Sequence, residues 1–284
     1  MRARITYGAA LAALTAMAAC AKQEQAKPAA AVSAAAPAAP AVVTIHAKDF
    51  AYVAPDSIPA GFVTFHLIND GPDLHHATIF RLDSGKTATD LEAALKNPGP
   101  PPMWAVPLGG PNAPAPGQSF DATLSLTPGS YLMVCFVDVP GGVPHFMKGM
   151  VHPFTVTPST VATTAPVADD SIALQDYGFV FSKPLTTGHH VFAVTNIAHQ
   201  AHEMEIIKLA PGKTAEDVVA WIQKPNGPPP GDAIGGAAFQ APGTTEYVTA
   251  DFTPGSYLLI CFVPDAKDGK PHFMHGMMHT ETLN

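Results

Sequence analysis

From residue 42 onward the chain is dominated by short runs in which apolar and polar residues alternate, broken by Gly and Pro. Val43 to His46, Phe62 to Ile68, His76 to Leu82, Phe120 to Leu126, Tyr131 to Val137 and Val151 to Val156 show the period of two and the β-branched or aromatic content of strands. Counterparts of these runs follow later in the chain. One helix is predicted after each third run, starting at Thr87 with Asp90 three residues on and at Thr214 with Asp217, the spacing of a capping box. Leu91 and Leu95, or Val218, Trp221 and Ile222, would point inward, and Pro98 and Pro225 would stop the helices. About seven strands and one short helical insertion per copy predict an all-β chain of Greek-key β-sandwiches.

The copies are visible directly. Asn69 and His75 return as Asn196 and His202, Gly85-Lys86-Thr87 as Gly212-Lys213-Thr214, and Pro116-Gly117 as Pro242-Gly243. Leu126-Thr127-Pro128-Gly129-Ser130-Tyr131 returns as Phe252-Thr253-Pro254-Gly255-Ser256-Tyr257, so the offset holds at 126 or 127 residues. The repeat places one domain at 42–157 and a second at 169–284, joined by a linker at 158–168.

The 284 residues are 47% hydrophobic and only 13% charged, which suits folded material with a sizeable core. The 30 Pro and 23 Gly are spread along the whole length and argue against an all-helical fold. The net charge of −8 leaves no electrostatic footprint for a phosphate backbone, so nucleic acid is excluded as a partner. Residues 1–20 read as an export leader: basic Arg2 and Arg4, a short apolar run, then a small-residue site before Cys20. Met17-Ala18-Ala19-Cys20 resembles the lipobox of bacterial lipoproteins, which implies lipidation of Cys20 and a membrane attachment facing the periplasm or cell surface. Residues 21–41 are Ala/Pro-rich and read as a tether; about 20 residues at about 3.1 Å each would reach about 60 Å.

Beyond the leader there are two cysteines, Cys135 and Cys261, at equivalent positions of the repeat. Two strand-interior positions in separate cores rarely come within bridging distance, so the thiols need another reason to persist outside the cytoplasm. Burial as small hydrophobes is one such reason. The residues that follow suggest another. Cys135 is succeeded by His145-Phe146-Met147-Lys148-Gly149-Met150, and Cys261 by His272-Phe273-Met274-His275-Gly276-Met277. A second imidazole, His75 or His202, stands upstream. Two His, one Cys and a weak axial Met make up a trigonal blue-copper set: the thiolate suits Cu(I), and imidazole suits both oxidation states.

These phrases resemble the cupredoxin family. HFMKGM and HFMHGM are similar to the ligand loop of plastocyanin and pseudoazurin, PGSYLMVC and PGSYLLIC to the strand before it, and NDGPDLHH and NIAHQAHE to the segment of the first ligand. The resemblance implies a copper site at His75, Cys135, His145 and Met150, and another at His202, Cys261, His272 and Met277. Within the repeat His76 falls opposite Glu203, which selects His75. Nine residues separate Cys135 from His145 and ten separate Cys261 from His272, more than the family usually has; Pro-Gly-Gly and Asp-Gly turns would fold the excess back as hairpins.

Oxidases and nitrite reductases of this fold need histidines beside the Cys, whereas Cys135 lies between Val134 and Phe136, and Cys261 between Ile260 and Phe262. The expectation is therefore a membrane-tethered, non-enzymatic protein that passes electrons or copper among periplasmic partners. Two alternatives stand beside it. One is a Cu(I) sequestration or delivery protein using Met147, Met274 and Met278 with His152, His275 and His279; the other is a metal-free binding module. His46, His66, His189, His190 and His199 read as surface or strand histidines, and Trp104 and Trp221 as packing groups.

Overall fold

The computed structural model describes residues 38–284 apart from Pro98 and Pro140. The leader, Cys20 and most of the proposed tether lie outside the described residues.

In the first half come β1 (Ala41–Lys48), β2 (Ala51–Val53), β3 (Ser57–Pro59), β4 (Gly61–Asn69), β5 (Thr78–Leu82), α1 (Ala88–Leu95), β6 (Ala105–Pro107), β7 (Ser119–Leu126) and β8 (Gly129–Val134). A short pair, β9 (Asp138–Val139) and β10 (Val143–Pro144), precedes a 3-10 turn at His145–Lys148 and β11 (Val151–Thr157). The second half repeats the order with β12 (Asp170–Gln175), β13 (Gly178–Phe181), β14 (Gly188–Asn196), β15 (His202–Leu209), α2 (Ala215–Gln223) and β16 (Gly231–Gln240). It ends with β17 (Thr245–Phe252), β18 (Gly255–Ile260), a 3-10 turn at His272–His275 and β19 (Met278–Leu283).

Alternation fixes which face each strand buries. Val43, Ile45 and Ala47 of β1 and Val63, Phe65 and Leu67 of β4 enter the first core, while the residues between them face out. In β5, Ile79 joins that core, whereas Phe80 and Leu82 join a second cluster on the opposite face, beneath Leu91 of α1. The helices thus cover the outer faces of β5 and β15; Val218 of α2 closes over Ile207 and Leu209. Both helices start at the predicted Thr with complete capping boxes. Each fully buried anchor is worth about 1.5–3 kcal/mol. Trp221 is not such an anchor: it is half-buried, its Nε1 donates to the Gly227 carbonyl, and Val219 takes its place in the cluster.

Two strands are shorter than the alternation predicts. β8 stops at Val134, because the chain leaves the ladder at Cys135 to form the ligand loop. β5 starts at Thr78 rather than His76, whose carbonyl accepts the Tyr52 hydroxyl.

The two halves lie in one compact unit and share an eight-stranded sheet, ordered β13-β12-β14-β17-β7-β4-β1-β2. Its centre is the antiparallel pair β7–β17, with Asp121 opposite Thr249, Ala122 opposite Val248 and Thr123 opposite Tyr247. Ala122 and Val248 are the same repeat position, and the flanking pairs exchange partners about them, the signature of a two-fold contact between like units. A second seam obeys the same axis: Leu108 bridges Gln240, Pro111 bridges Ala237, and Pro114 bridges Ile234. The repeat equivalents Gly109 and Gly235 are the points of closest approach. A Cβ on Gly235 would stand 2.1 Å from Phe120 Cδ2, and one on Gly109 would stand 2.2 Å from Glu246 Oε1, Phe120 and Glu246 being equivalents themselves. Phe120 and Ala122 of the first half belong to the core of the second. The segment joining the halves is also laid down, with Thr163 Oγ1 accepting from the Phe62 N–H at 2.6 Å.

Candidate metal centres

Each candidate centre is held by the ends of two strands. Asn69, fully buried at the end of β4, accepts from the Gly71 N–H at 3.0 Å and donates to the carbonyls of Asp73 (2.8 Å) and Pro114 (2.9 Å). This clamp turns residues 70–75 so that His75 enters the interior. Asn196 does the same through Ala198, Gln200 and Gln240.

The Cys, His and Met segments are laced by backbone bonds. Phe146 N–H donates to the Cys135 carbonyl at 2.9 Å, His145 N–H to Val137 at 2.8 Å, Met150 N–H to His145 at 3.1 Å, and Cys135 N–H to Met150 at 3.2 Å. The second half repeats all four bonds among Cys261, Val263, His272, Phe273 and Met277 at 2.9–3.3 Å. The excess loop is folded away as the β9–β10 hairpin in the first half, and between Pro264 and Pro271 in the second, so its length does not separate Cys from His.

His75, Cys135 and His145 come together, as do His202, Cys261 and His272, all buried and with donor atoms within 4.8 Å of one another. Cys135 Sγ lies 3.6 Å from His145 Nδ1, and the two Nδ1 atoms of His75 and His145 are 3.1 Å apart. In the second half Cys261 Sγ lies 3.4 Å from His272 Nδ1 and 4.0 Å from His202 Nδ1. A trigonal set with bonds of about 2.0–2.3 Å places donors about 3.5–4.0 Å apart, close to these spacings. Met150 and Met277 are fully buried beside the His and Cys to which their backbones are tied. Both thiols are free.

Burial governs the protonation of these groups. It pushes the Cys135 thiol up to about 12 and raises Cys261 well above its ordinary value. It lowers His75, His145 and His202, and with His202 nearby it brings His272 down to about 4. At neutral pH each site therefore holds two neutral imidazoles and one thiol, a set able to exchange a single proton for a soft cation.

Residues that pattern reading did not single out support the donors. Asp49 Oδ1 lies 3.3 Å from His75 Nε2, and Asp176 Oδ1 lies 3.0 Å from His202 Nε2, which leaves each Nδ1 free to face the centre. The next residues, Phe50 and Tyr177, have φ of 61° and 66°, and their rings stand edge-on to His145 and His272 at 5.1 and 5.6 Å. Bulky side chains seldom adopt this backbone, and its recurrence at equivalent positions ties it to the site. His76 Nε2 accepts the Phe136 N–H at 3.1 Å, and Glu203 Oε1 accepts the Phe262 N–H at 2.9 Å, so two unlike residues make the same link to the strand carrying the Cys. The repeat held a signal for the turn, since Asp49-Phe50 and Asp176-Tyr177 are equivalents.

The described residues form an all-β fold of two like halves. No family model and no curated protein matches the chain. Among solved structures it is similar to dithionite-reduced auracyanin from the photosynthetic bacterium Roseiflexus castenholzii, at 23% identity over 43% of this chain and 100% of that one, with a TM-score of 0.31. It is similar to auracyanin A, a "blue" copper protein of Chloroflexus aurantiacus, at 19% identity over 42% of this chain and 99% of that one, TM-score 0.30. It is also similar to a multicopper oxidase, at 16% identity over 86% of this chain and 88% of that one, TM-score 0.24.

The remaining histidines and methionines stand apart from both donor sets. Met147 and Met274 are about half exposed on the 3-10 turns, while Met278 is half-buried in β19. His152 approaches Asp56, His275 approaches Asp268, and His279 approaches Glu281. His46, His66 and His189 pair with Asp70, Asp121 and Asp251.

Proposed function

We propose that this chain is an extracytoplasmic copper protein, anchored through a lipid on Cys20, that passes electrons between periplasmic partners through one type 1-like site per half. The observation that carries this reading is the twofold recurrence of a buried His-Cys-His set, each with a buried Met laced to it. No helix among the described residues is long and apolar enough to cross a membrane.

Copper bound there would supply a one-electron couple. The chain's residues do the rest. The thiol gives up its proton, Nδ1 of each imidazole faces the centre, and the Asp carboxylates hold the ring orientation. The backbone lacing keeps the donors in place through a change of charge, and the absence of a histidine beside either Cys favours a carrier over an oxidase.

The exposed Met147 and Met274, on the same 3-10 turns as His145 and His272, favour a second reading in which the same sites receive and release Cu(I). Met277→Leu and His272→Ala in the copper-loaded chain separate the two. Electron transfer predicts that Met277→Leu keeps copper and visible colour while shifting the reduction potential upward, and that His272→Ala loses the second-half colour. Equal loss of Cu(I) from both variants supports delivery.

A further inference from the structure

We propose that the two sites are not duplicates: the first half is built for a higher reduction potential than the second, so that one chain holds an ordered donor and acceptor. This rests on the copper reading above. It comes from one place where the halves differ in the shell around otherwise matching donors.

The difference lies behind the downstream histidine. His145 Nε2 and His272 Nε2 are both buried without a hydrogen-bond partner. Behind His272, however, stands the carboxylate of Asp265, with Oδ2 3.7 Å from Nε2. Asp265 is itself buried, and it is clamped by the Tyr177 hydroxyl at 2.6 Å, Gln200 Nε2 at 3.0 Å and the Lys267 N–H at 2.8 Å. Counting from the Cys, Val139 holds its place in the first half, and the Tyr177 equivalent is Phe50, with no hydroxyl to hold an acid there. A fixed negative charge behind a ligand imidazole strengthens it as a donor and favours the more highly charged ion, which lowers the potential. Asp73 and Asp138 also carry charge near the first site, but both are exposed, so water weakens their effect relative to that of the buried Asp265.

The test is a spectroscopic redox titration of the copper-loaded full chain, with metal content measured first. Two one-electron steps are expected. Asp265→Asn should weaken the preference of the second site for Cu(II) over Cu(I) by about tenfold, moving the lower step up by about 59 mV and leaving the upper step in place. Cys261→Ser should remove the lower step and so assign it. A single coincident step, or a response of the upper step to Asp265→Asn, overturns the proposal. A chain that takes up no copper overturns the functional reading and this inference with it, and the metal analysis shows that before any potential is measured.

Discussion

Replacing Phe120 with Ala tests whether the two halves stand or fall together. Phe120 belongs to β7 of the first half, is 5% exposed, and packs in the second core against a Gly235 whose missing Cβ would lie 2.1 Å from its ring. Truncating a buried Phe costs about 3–5 kcal/mol, and collapse onto the space is limited here by the β7–β17 ladder on one side and the backbone of β16 on the other. For a chain of this size each kcal/mol moves the midpoint by about 2–4 °C, so the fall in Tm should be about 6–20 °C. Trp104 and Trp221 report the first and second halves separately, and Trp221→Phe or Trp104→Phe backgrounds isolate either signal. The expected result is that Phe120→Ala lowers both midpoints together. A drop confined to one tryptophan would refute the shared core and show two halves unfolding independently.

Copper uptake at neutral pH should release about one proton per site, because the buried thiols are protonated and the imidazoles already neutral; affinity should fall about tenfold per unit of falling pH, and more steeply at the second site as pH approaches about 4, where His272 takes a proton. Titration calorimetry in buffers of different ionisation enthalpy measures this. Asp176→Ala should weaken metal binding in the second half by about 10–100-fold while the first half keeps its affinity, as read by competition with a chelator. Cys20→Ser should move the protein from the membrane to the soluble fraction on cell fractionation; membrane retention would refute the lipid anchor.

The internal repeat made most of the architecture legible. It aligned the strands, located both capping boxes, and chose His75 over His76, which the structure puts to a different use as acceptor of the Phe136 N–H. The contact between the halves was not legible, because Ala122 and Val248 look like any inward strand residues, and Gly109 and Gly235 like loop glycines. Only the register of β7 against β17 shows that they meet. Asp49 and Asp176 escaped notice for a related reason: an acid in a hairpin turn carries no mark of the imidazole it will face until β1 and β4 are laid side by side. Loop length, which counted against the sites in sequence, lost its force once β9 and β10 folded the excess into a hairpin.

The most direct test of the central claim is copper per chain after exposure to excess copper and desalting, measured for the intact protein, Cys135→Ser, Cys261→Ser and the double variant. The account predicts about two ions, then about one for each single variant and none for the double, with the thiolate-to-copper colour falling in step. Unchanged copper content in the double variant would contradict it.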